Sequence, residues 1–186
     1  PMLLSYRTKA NIYGVEIQKS VFDLGVKSII ENKMDKQITI INDDVKNVIN
    51  LFGDDYFDVI TCNPPYFKVN EFSNLNNNMI KSIARHEIEI KLEDICRISK
   101  KLLKNNGSLV LVHRTDRLSE IINMLLKYNL QPKRIRFLYP KELENSNLVL
   151  IDARKNGNIG LKVLPPLICH NMDGSYTKEV LDMFRR

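Results

Sequence analysis

The chain has 186 residues, of which 44% are hydrophobic and 27% are charged, and its formal net charge at pH 7 is +6. This balance predicts a folded domain with its own core and excludes a disordered chain. No apolar run reaches the roughly 18 residues of a membrane span, and the first residues lack the layout of a signal peptide. The positive charge favours a polyanionic partner without proving one, since many lysine-rich proteins bind no nucleic acid.

The predicted elements alternate between short β-branched segments and helical patterns. In chain order they are a strand at 11–16, a helix at 20–32, a strand at 37–42, one or two helical turns at 46–52, a strand at 57–62, an Asn-rich loop at 68–78, a helix at 88–104, a strand at 108–112, a helix at 117–128, and strands at 134–138 and 148–153. This alternation predicts a Rossmann-like α/β sheet that is mostly parallel. Because no helical pattern joins the last two strands, we expect a late antiparallel strand at the edge.

Three finer features follow from local patterns. Asn105-Asn106-Gly107 is typical of a helix C-terminus and should end the helix at 88–104. Asn156-Gly157 suggests a hairpin turn. The first helix should bury one apolar face, formed by Val21, Leu24, Ile29 and Ile30.

The three cysteines, Cys62, Cys96 and Cys169, are scattered along the chain. An odd number without a Cys-x-x-Cys pair predicts neither a disulfide framework nor a metal-binding pair. Free thiols of this kind persist in a reducing compartment. We therefore expect a cytoplasmic protein with no metal and no membrane association.

Polar residues follow three predicted strands at their carboxyl ends, where ligands bind in parallel α/β sheets. Glu16 follows the first strand and can accept hydrogen bonds from two vicinal ribose hydroxyls. Asp44, or its neighbour Asp43, follows the second and can accept from an adenine amino group. Taken alone, Glu16 is better explained as a solvated acid at a strand end, and Asp44 is better explained as a helix N-cap. Their order along the chain, together with Asn63 after the third strand, favours one nucleotide-like cofactor.

Asn63-Pro64-Pro65-Tyr66 carries the strongest chemical signal. The two prolines fix the backbone and remove two donors, so the Pro64 carbonyl is held rigid beside the Asn63 side-chain oxygen. Two fixed acceptors suit a planar NH₂ group whose nitrogen lone pair must point at an electrophile. Tyr66 offers an aromatic face for a flat substrate. An ordinary Pro-Pro turn would explain the prolines, but not the apolar strand before them and the aromatic residue after them.

Four segments of the chain carry a resemblance to known proteins. They are Gly14-Val15-Glu16-Ile17-Gln18, Cys62-Asn63-Pro64-Pro65-Tyr66-Phe67, Ala84-Arg85-His86-Glu87 and Val112-His113-Arg114. In these segments the chain resembles the class I methyltransferases that bind S-adenosylmethionine. More narrowly, it resembles the bacterial tRNA adenine-N6 methyltransferases that modify valine tRNA beside the anticodon. Asn-Pro-Pro-Tyr is shared by several amino-methylating families, whereas Ala-Arg-His-Glu is the narrower signature.

The resemblance implies a cofactor, a substrate and a set of roles. S-adenosylmethionine is the implied cofactor, and tRNA is the implied partner. Asn63, Pro64, Pro65 and Tyr66 are then catalytic, and Arg85, His86 and Arg114 hold RNA or close the site. Arg85 and Arg114 can equally be structural ion-pair partners, and His86 can simply begin a helix. The implied cofactor-binding residues are Glu16, Ile17, Asp43, Asp44 and Asn63.

The start of the chain departs from the family. The glycine-rich loop that wraps the methionine end of the cofactor has no counterpart, and Pro1-Met2-Leu3-Leu4 resembles the middle of the helix after that loop. The resemblance therefore implies one methyltransferase domain over 1–186 that lacks its first strand and its glycine-rich loop. Such a chain is expected to bind the cofactor poorly by itself.

Two other functions stay open on the sequence. A protein glutamine-N5 methyltransferase also needs to grip a planar NH₂ group, so Asn63 and Pro64 fit it equally well. A non-catalytic, RNA-binding remnant of the fold would explain the missing cofactor loop, but not the intact Asn63-Pro64-Pro65-Tyr66. The net positive charge and the Ala84-Arg85-His86-Glu87 segment favour RNA.

Overall fold

The computed structural model describes residues 1–64 and 90–184. The chain divides into two compact units, residues 1–52 and the residues from 53 onward. The first unit has a two-stranded sheet and the second a six-stranded sheet. That residues 1–186 act as one methyltransferase domain stays a prediction. The Asn-rich segment 68–78 lies outside the described residues.

The first unit is a β-α-β crossover followed by short helical turns. Its elements are α1 (Met2–Ser5), β1 (Ile12–Val15), α2 (Lys19–Glu31), β2 (Ile38–Ile41), a 3-10 turn (Val45–Asn47) and α3 (Ile49–Phe52). Strands β1 and β2 are parallel, with Val15 opposite Ile41. Both carboxyl ends therefore lie at one edge of this sheet. The structure also confirms the predicted elements of this unit, at 11–16, 20–32, 37–42 and 46–52.

Helix α2 packs through a different face from the one predicted. Ile29 is buried, but Leu24 and Ile30 are 66% and 60% exposed. The packed stripe includes Gly25 and Ile29, four residues apart on the helix. A Cβ atom on Gly25 would lie 2.8 Å from Cδ1 of Ile40 in β2. The close approach of helix and strand at this glycine decides which face is buried, and the apolar pattern alone did not indicate it.

The second unit contains the remaining elements. They are β3 (Phe57–Cys62), α4 (Leu92–Leu102), β4 (Leu103–Arg114), a 3-10 turn (Thr115–Arg117), α5 (Leu118–Lys127), β5 (Leu130–Lys141), β6 (Leu148–Lys155), β7 (Lys162–Val163), β8 (Leu167–His170) and α6 (Lys178–Phe184). Among the described residues, no helix is both long and apolar enough to cross a membrane.

The sheet of the second unit has the order β3-β4-β6-β5, and β7 and β8 both pair with β5. Strand β3 is parallel to β4, and β6 is antiparallel to both β4 and β5. Strands β7 and β8 run parallel to β5. The mostly parallel sheet and its late antiparallel strand are confirmed. The antiparallel strand lies between β4 and β5 rather than at the edge, because β5 with β7 and β8 continues the sheet beyond it.

The core of this unit lies where α4 and α5 pack on the sheet. Helix α4 has apolar residues at three- and four-residue spacing, and its buried stripe faces the strands. Alternate residues of β4 and β6 point into the same core, as the two-residue period of a strand requires. The buried core residues are Leu92, Ile95, Cys96, Leu103, Leu109, Leu111, Ile121, Leu125, Leu130, Ile135, Val149, Ile151 and Ala153.

The two local predictions based on Asn-Gly pairs were wrong. Helix α4 ends at Leu102, and β4 begins at Leu103, which pairs with Phe57. Asn106, at φ 62°, lies inside β4 where the register with β3 shifts, so Asn106-Gly107 forms an irregularity of the strand. The turn at 156–157 exists, but β7 after it pairs in parallel with β5 and forms no hairpin with β6.

Candidate active site

Glu16 lies at the carboxyl end of β1 beside the carboxyl end of β2. Its backbone N–H donates to the Ile41 carbonyl at 3.0 Å. One carboxylate oxygen, Oε1, accepts a hydrogen bond from the Gln18 backbone N–H at 2.8 Å. The other oxygen, Oε2, accepts none from the described part of the chain. One side of the carboxylate is thus fixed by its own loop while the other remains available to a ligand hydroxyl.

Asn42 fixes the position of the Glu16 loop. Its side-chain N–H groups donate to the carbonyls of Glu16 at 2.7 Å and Ile17 at 3.3 Å. These bonds join the segment after β1 to the end of β2. Sequence reasoning did not assign Asn42 a role. The pattern that could have indicated this role is an asparagine directly after a strand and directly before two aspartates.

Asp43 and Asp44 make different hydrogen bonds. Oδ1 of Asp43 accepts from the Asp44 N–H at 2.7 Å and from the Asn47 side chain at 2.8 Å. Asp44 accepts from the Lys46 N–H at 2.9 Å, as an N-cap does, and its second oxygen lies 3.0 Å from Lys46 Nζ. The helix-cap explanation of Asp44 is therefore what the structure shows. The Lys46–Asp44 pair is partly exposed and such surface pairs contribute only about 0–1 kcal/mol, so Asp44 remains a candidate acceptor. Asp43 remains one as well, through its second carboxylate oxygen.

Asn63 and Pro64 directly follow β3 at the carboxyl end of the second sheet. Asn63 is exposed and Pro64 is buried. Strand β4 runs alongside in parallel, with Cys62 opposite Leu111, so the segment after Leu111 lies at the same edge. The predicted site residues Pro65, Tyr66, Arg85 and His86 lie outside the described residues.

His113 is a buried residue at this edge, and the sequence placed it in the Val112-His113-Arg114 segment without giving it a role. It is fully buried, and its Nδ1 accepts the Arg114 backbone N–H at 2.8 Å. Burial, with a smaller contribution from the Arg117 charge, lowers the pKa of His113 to about 4. Glu120 and Asp116 oppose this shift, and Arg114 adds to it. The imidazole is therefore neutral at physiological pH, with its proton on Nε2.

Because of His113, we expect the free energy of unfolding to fall by up to about 3 kcal/mol between pH 7 and pH 4. The unfolded chain takes up a proton below pH 6.5, whereas the folded chain does so only near pH 4. Stability present above pH 6.5 is thus lost as the pH falls. Urea unfolding at pH 7 and pH 5 should show a smaller loss for His113→Gln than for the wild type. An identical loss would contradict the burial of a neutral imidazole.

Arg114 and Arg117 both have carboxylate partners. Arg114 Nε lies 3.0 Å from Oδ2 of Asp116, and this hydrogen bond is the largest cause that lowers the pKa of Asp116. Arg117 Nη2 lies 2.8 Å from Oε1 of Glu120, and the arginine side chain is 10% exposed. The ion-pair explanation of Arg114 is therefore the one that the structure supports. An RNA contact by Arg114 stays a prediction.

Several other basic side chains also have carboxylate partners. Lys101 and Lys104 pair with acids before and in β3, Lys127 pairs with Glu93, and Arg134 pairs with the buried Asp152. In such pairs the carboxylate reduces the positive electrostatic potential that would attract a polyanion. The net charge of +6 is thus a weak guide to where nucleic acid would bind.

Cys62 comes directly before Asn63 and offers no thiolate. Burial raises the pKa of Cys62 to about 11 and that of Cys96 to about 12. A neutral buried thiol is a poor nucleophile. The described residues also contain no group of three His, Cys, Asp or Glu side chains placed to hold a metal ion. That no metal takes part stays a prediction.

Solved structures with a similar fold include several methyltransferases. A predicted O-methyltransferase from Agrobacterium tumefaciens superposes with a TM-score of 0.75 at 21% identity, over 98% of this chain and 81% of that one. Geranyl diphosphate C-methyltransferase from Streptomyces coelicolor gives 0.60 at 13% identity, over 83% and 67%. The chain therefore has the Rossmann-like class I methyltransferase fold.

Relatives of known function indicate a particular group of methyltransferases. The tRNA1(Val) (adenine(37)-N6)-methyltransferase of Porphyromonas gingivalis is 30% identical over 138 residues, which are 72% of this chain and 52% of that protein. Those of Shewanella woodyi and Cytophaga hutchinsonii are 26% and 21% identical over 97% and 99% of this chain, and 76% and 75% of their own lengths. No protein-family model matches. The chain is a relative of the bacterial tRNA1(Val) (adenine(37)-N6)-methyltransferases, and it spans about half the length of the Porphyromonas protein.

Proposed function

We propose that this chain is part of an enzyme that transfers a methyl group from S-adenosylmethionine to N6 of an adenine in tRNA near the anticodon. The observation that carries the proposal is the position of Asn63-Pro64, directly after β3 at the carboxyl edge of a methyltransferase sheet. The names of the curated relatives support the same substrate. We place the reaction in the cytoplasm, in keeping with three free cysteines.

The first unit offers groups that fit the cofactor. The open Oε2 of Glu16 suits ribose hydroxyls, and its loop is held in place by Asn42. Asp43 has one carboxylate oxygen engaged twice and the other without a partner in the described residues, which suits an adenine amino group. Ile17 is 39% exposed and so offers an apolar side chain for a ring. S-adenosylmethionine, when bound, supplies an electrophilic methyl group on a sulfonium.

Asn63 and Pro64 would orient the target nitrogen. The two N–H groups of the amino group would donate hydrogen bonds to the Asn63 side-chain oxygen and to the Pro64 carbonyl. This arrangement would aim the nitrogen lone pair away from the protein backbone. Orientation of this kind can supply a large part of a rate enhancement. A general base is not required, since the methylated nitrogen becomes acidic and can release a proton to water. The adenine must leave its stack, which costs a few kcal/mol and less in a loop than in a duplex.

Transfer of a labelled methyl group to unmodified tRNA tests the substrate class. The complete protein should label RNA, and ribonuclease treatment before the reaction should remove the acceptor. Label that survives ribonuclease and appears in methylglutamine of a protein acceptor would instead establish the glutamine-N5 alternative.

A further inference from the structure

An exposed aromatic surface follows β8 at the end of the second unit. The rings of His170 and Tyr176 are stacked, with centroids 4.8 Å apart and an interplanar angle of 27°. Tyr176 is 51% exposed and the neighbouring Met172 is 72% exposed. We call His170, Met172 and Tyr176 the aromatic platform. The half-buried His170 ring supports the exposed ring of Tyr176, and a fixed aromatic face of this kind suits a partner that is itself flat.

The platform is rigid because its loop is closed by hydrogen bonds. The Asn171 N–H donates to the Ser175 carbonyl at 2.8 Å, and the Thr177 N–H donates to the Cys169 carbonyl at 3.0 Å. The Thr177 hydroxyl donates to the Ile168 carbonyl at 2.7 Å. A surface held in one conformation loses little entropy when a ligand binds.

The platform lies at the same edge of the sheet as Asn63. Strand β8 is parallel to β5, and both β4 and β5 are antiparallel to β6, so the carboxyl ends of β3, β4, β5 and β8 share one edge. Four strand spacings of about 4.8 Å separate the ends of β3 and β8, or roughly 19 Å. This span is about that of five or six stacked base pairs with a rise of ~3.4 Å.

Two lysines are near the platform, one through strand pairing and the other two residues after Tyr176 in the sequence. Lys141 is opposite His170 in the β5–β8 pairing, and its Nζ is 3.5 Å from the Met172 carbonyl. Lys178, at the start of α6, is exposed and has no carboxylate partner among the described residues. Asp173, whose pKa is lowered mainly by hydrogen bonds from Ser175, offsets part of this charge. Exposed aromatic rings next to lysines are the combination that binds bases and phosphates of nucleic acid.

We propose that the aromatic platform is an RNA-docking surface that holds the substrate roughly 19 Å from the target adenine. This proposal rests on the proposed function, since it assumes that the substrate is RNA. An unpaired or terminal base would stack on Tyr176, while Lys141 and Lys178 would contact phosphates. Docking here would position a stem-loop so that its flipped adenine reaches Asn63.

Binding of an unmodified anticodon stem-loop RNA to the complete protein tests this surface. Tyr176→Ala should weaken binding by about 5- to 150-fold, because one base–aromatic stack is lost. Tyr176→Phe, which keeps the ring, should bind like the wild type. Tyr56→Ala is the matched control, since Tyr56 is 44% exposed and contacts Phe57 edge to face, but precedes β3 at the opposite edge.

Methyl transfer measured on the same variants separates this proposal from the proposed function. The platform predicts that Tyr176→Ala raises KM for the stem-loop by a similar factor with little change in kcat. Wild-type binding and KM in Tyr176→Ala would overturn the platform while leaving the enzyme intact. Equal losses in Tyr176→Ala and Tyr56→Ala would overturn it as well. A wild-type protein that methylates protein glutamine and no RNA would overturn both proposals.

Discussion

Replacing Asn63 by alanine should lower kcat for methyl transfer by about 100- to 1,000-fold, the range found when one aligned hydrogen-bonding group is removed from a reacting centre. Alanine removes the acceptor that would orient the amino nitrogen beside the Pro64 carbonyl. Asn63 is exposed at the end of β3, so the fold should tolerate the change. Steady-state kinetics with unmodified tRNA, together with a melting temperature, measure both effects.

Asn158→Ala is the matched control for this substitution. Asn158 is also exposed, and it lies between β6 and β7, outside the proposed site. It should keep wild-type kcat. If Asn63→Ala kept wild-type kcat, or if its cofactor affinity fell as far as its rate, Asn63 would not be the group that orients the amino nitrogen.

Replacing Glu16 by glutamine should weaken cofactor binding by about 10- to 100-fold. Hydrogen bonds to a charged group contribute about 1.5–3 kcal/mol, and the amide loses the charge while its oxygen can still accept from the Gln18 N–H. The local loop therefore stays in place, and the lost affinity reports the ligand-facing oxygen. Calorimetric titration of the complete protein with S-adenosylhomocysteine measures the change.

Glu31→Gln provides the comparison for Glu16→Gln. Glu31 lies at the end of α2 in an exposed pair with Lys27, at 3.9 Å, so its loss should leave affinity within about twofold. Equal affinities of Glu16→Gln and the wild type would mean that Glu16 is a solvated acid at a strand end.

The order of the elements could be predicted from the sequence because strands and helices have distinct periods and β-branched runs are short. Helix ends and buried helix faces that depend on tertiary contacts could not be predicted in this way. The end of α4 depends on Leu103 pairing with Phe57, which overrides the Asn106-Gly107 signal. The buried face of α2 depends on the close approach of Gly25 to Ile40.

The candidate site was predictable where a residue type and a strand end coincide, as at Glu16 and Asn63. Partners distant in sequence were harder to foresee. The Asn42 bonds to the Glu16 loop need the parallel pairing of β1 with β2. His113 is neutral because it is buried at the end of β4. No pattern in the neighbouring sequence predicts that burial. The proposed roles of Pro65, Tyr66, Arg85 and His86 remain predictions.

Mass spectrometry of nucleosides from tRNA treated with the complete protein and methyl-deuterated S-adenosylmethionine tests the central claim most directly. The proposed chemistry predicts the deuterated methyl group in N6-methyladenosine with the wild type, and almost none with Asn63→Ala. A protein that binds the cofactor and leaves every adenosine unlabelled would contradict it.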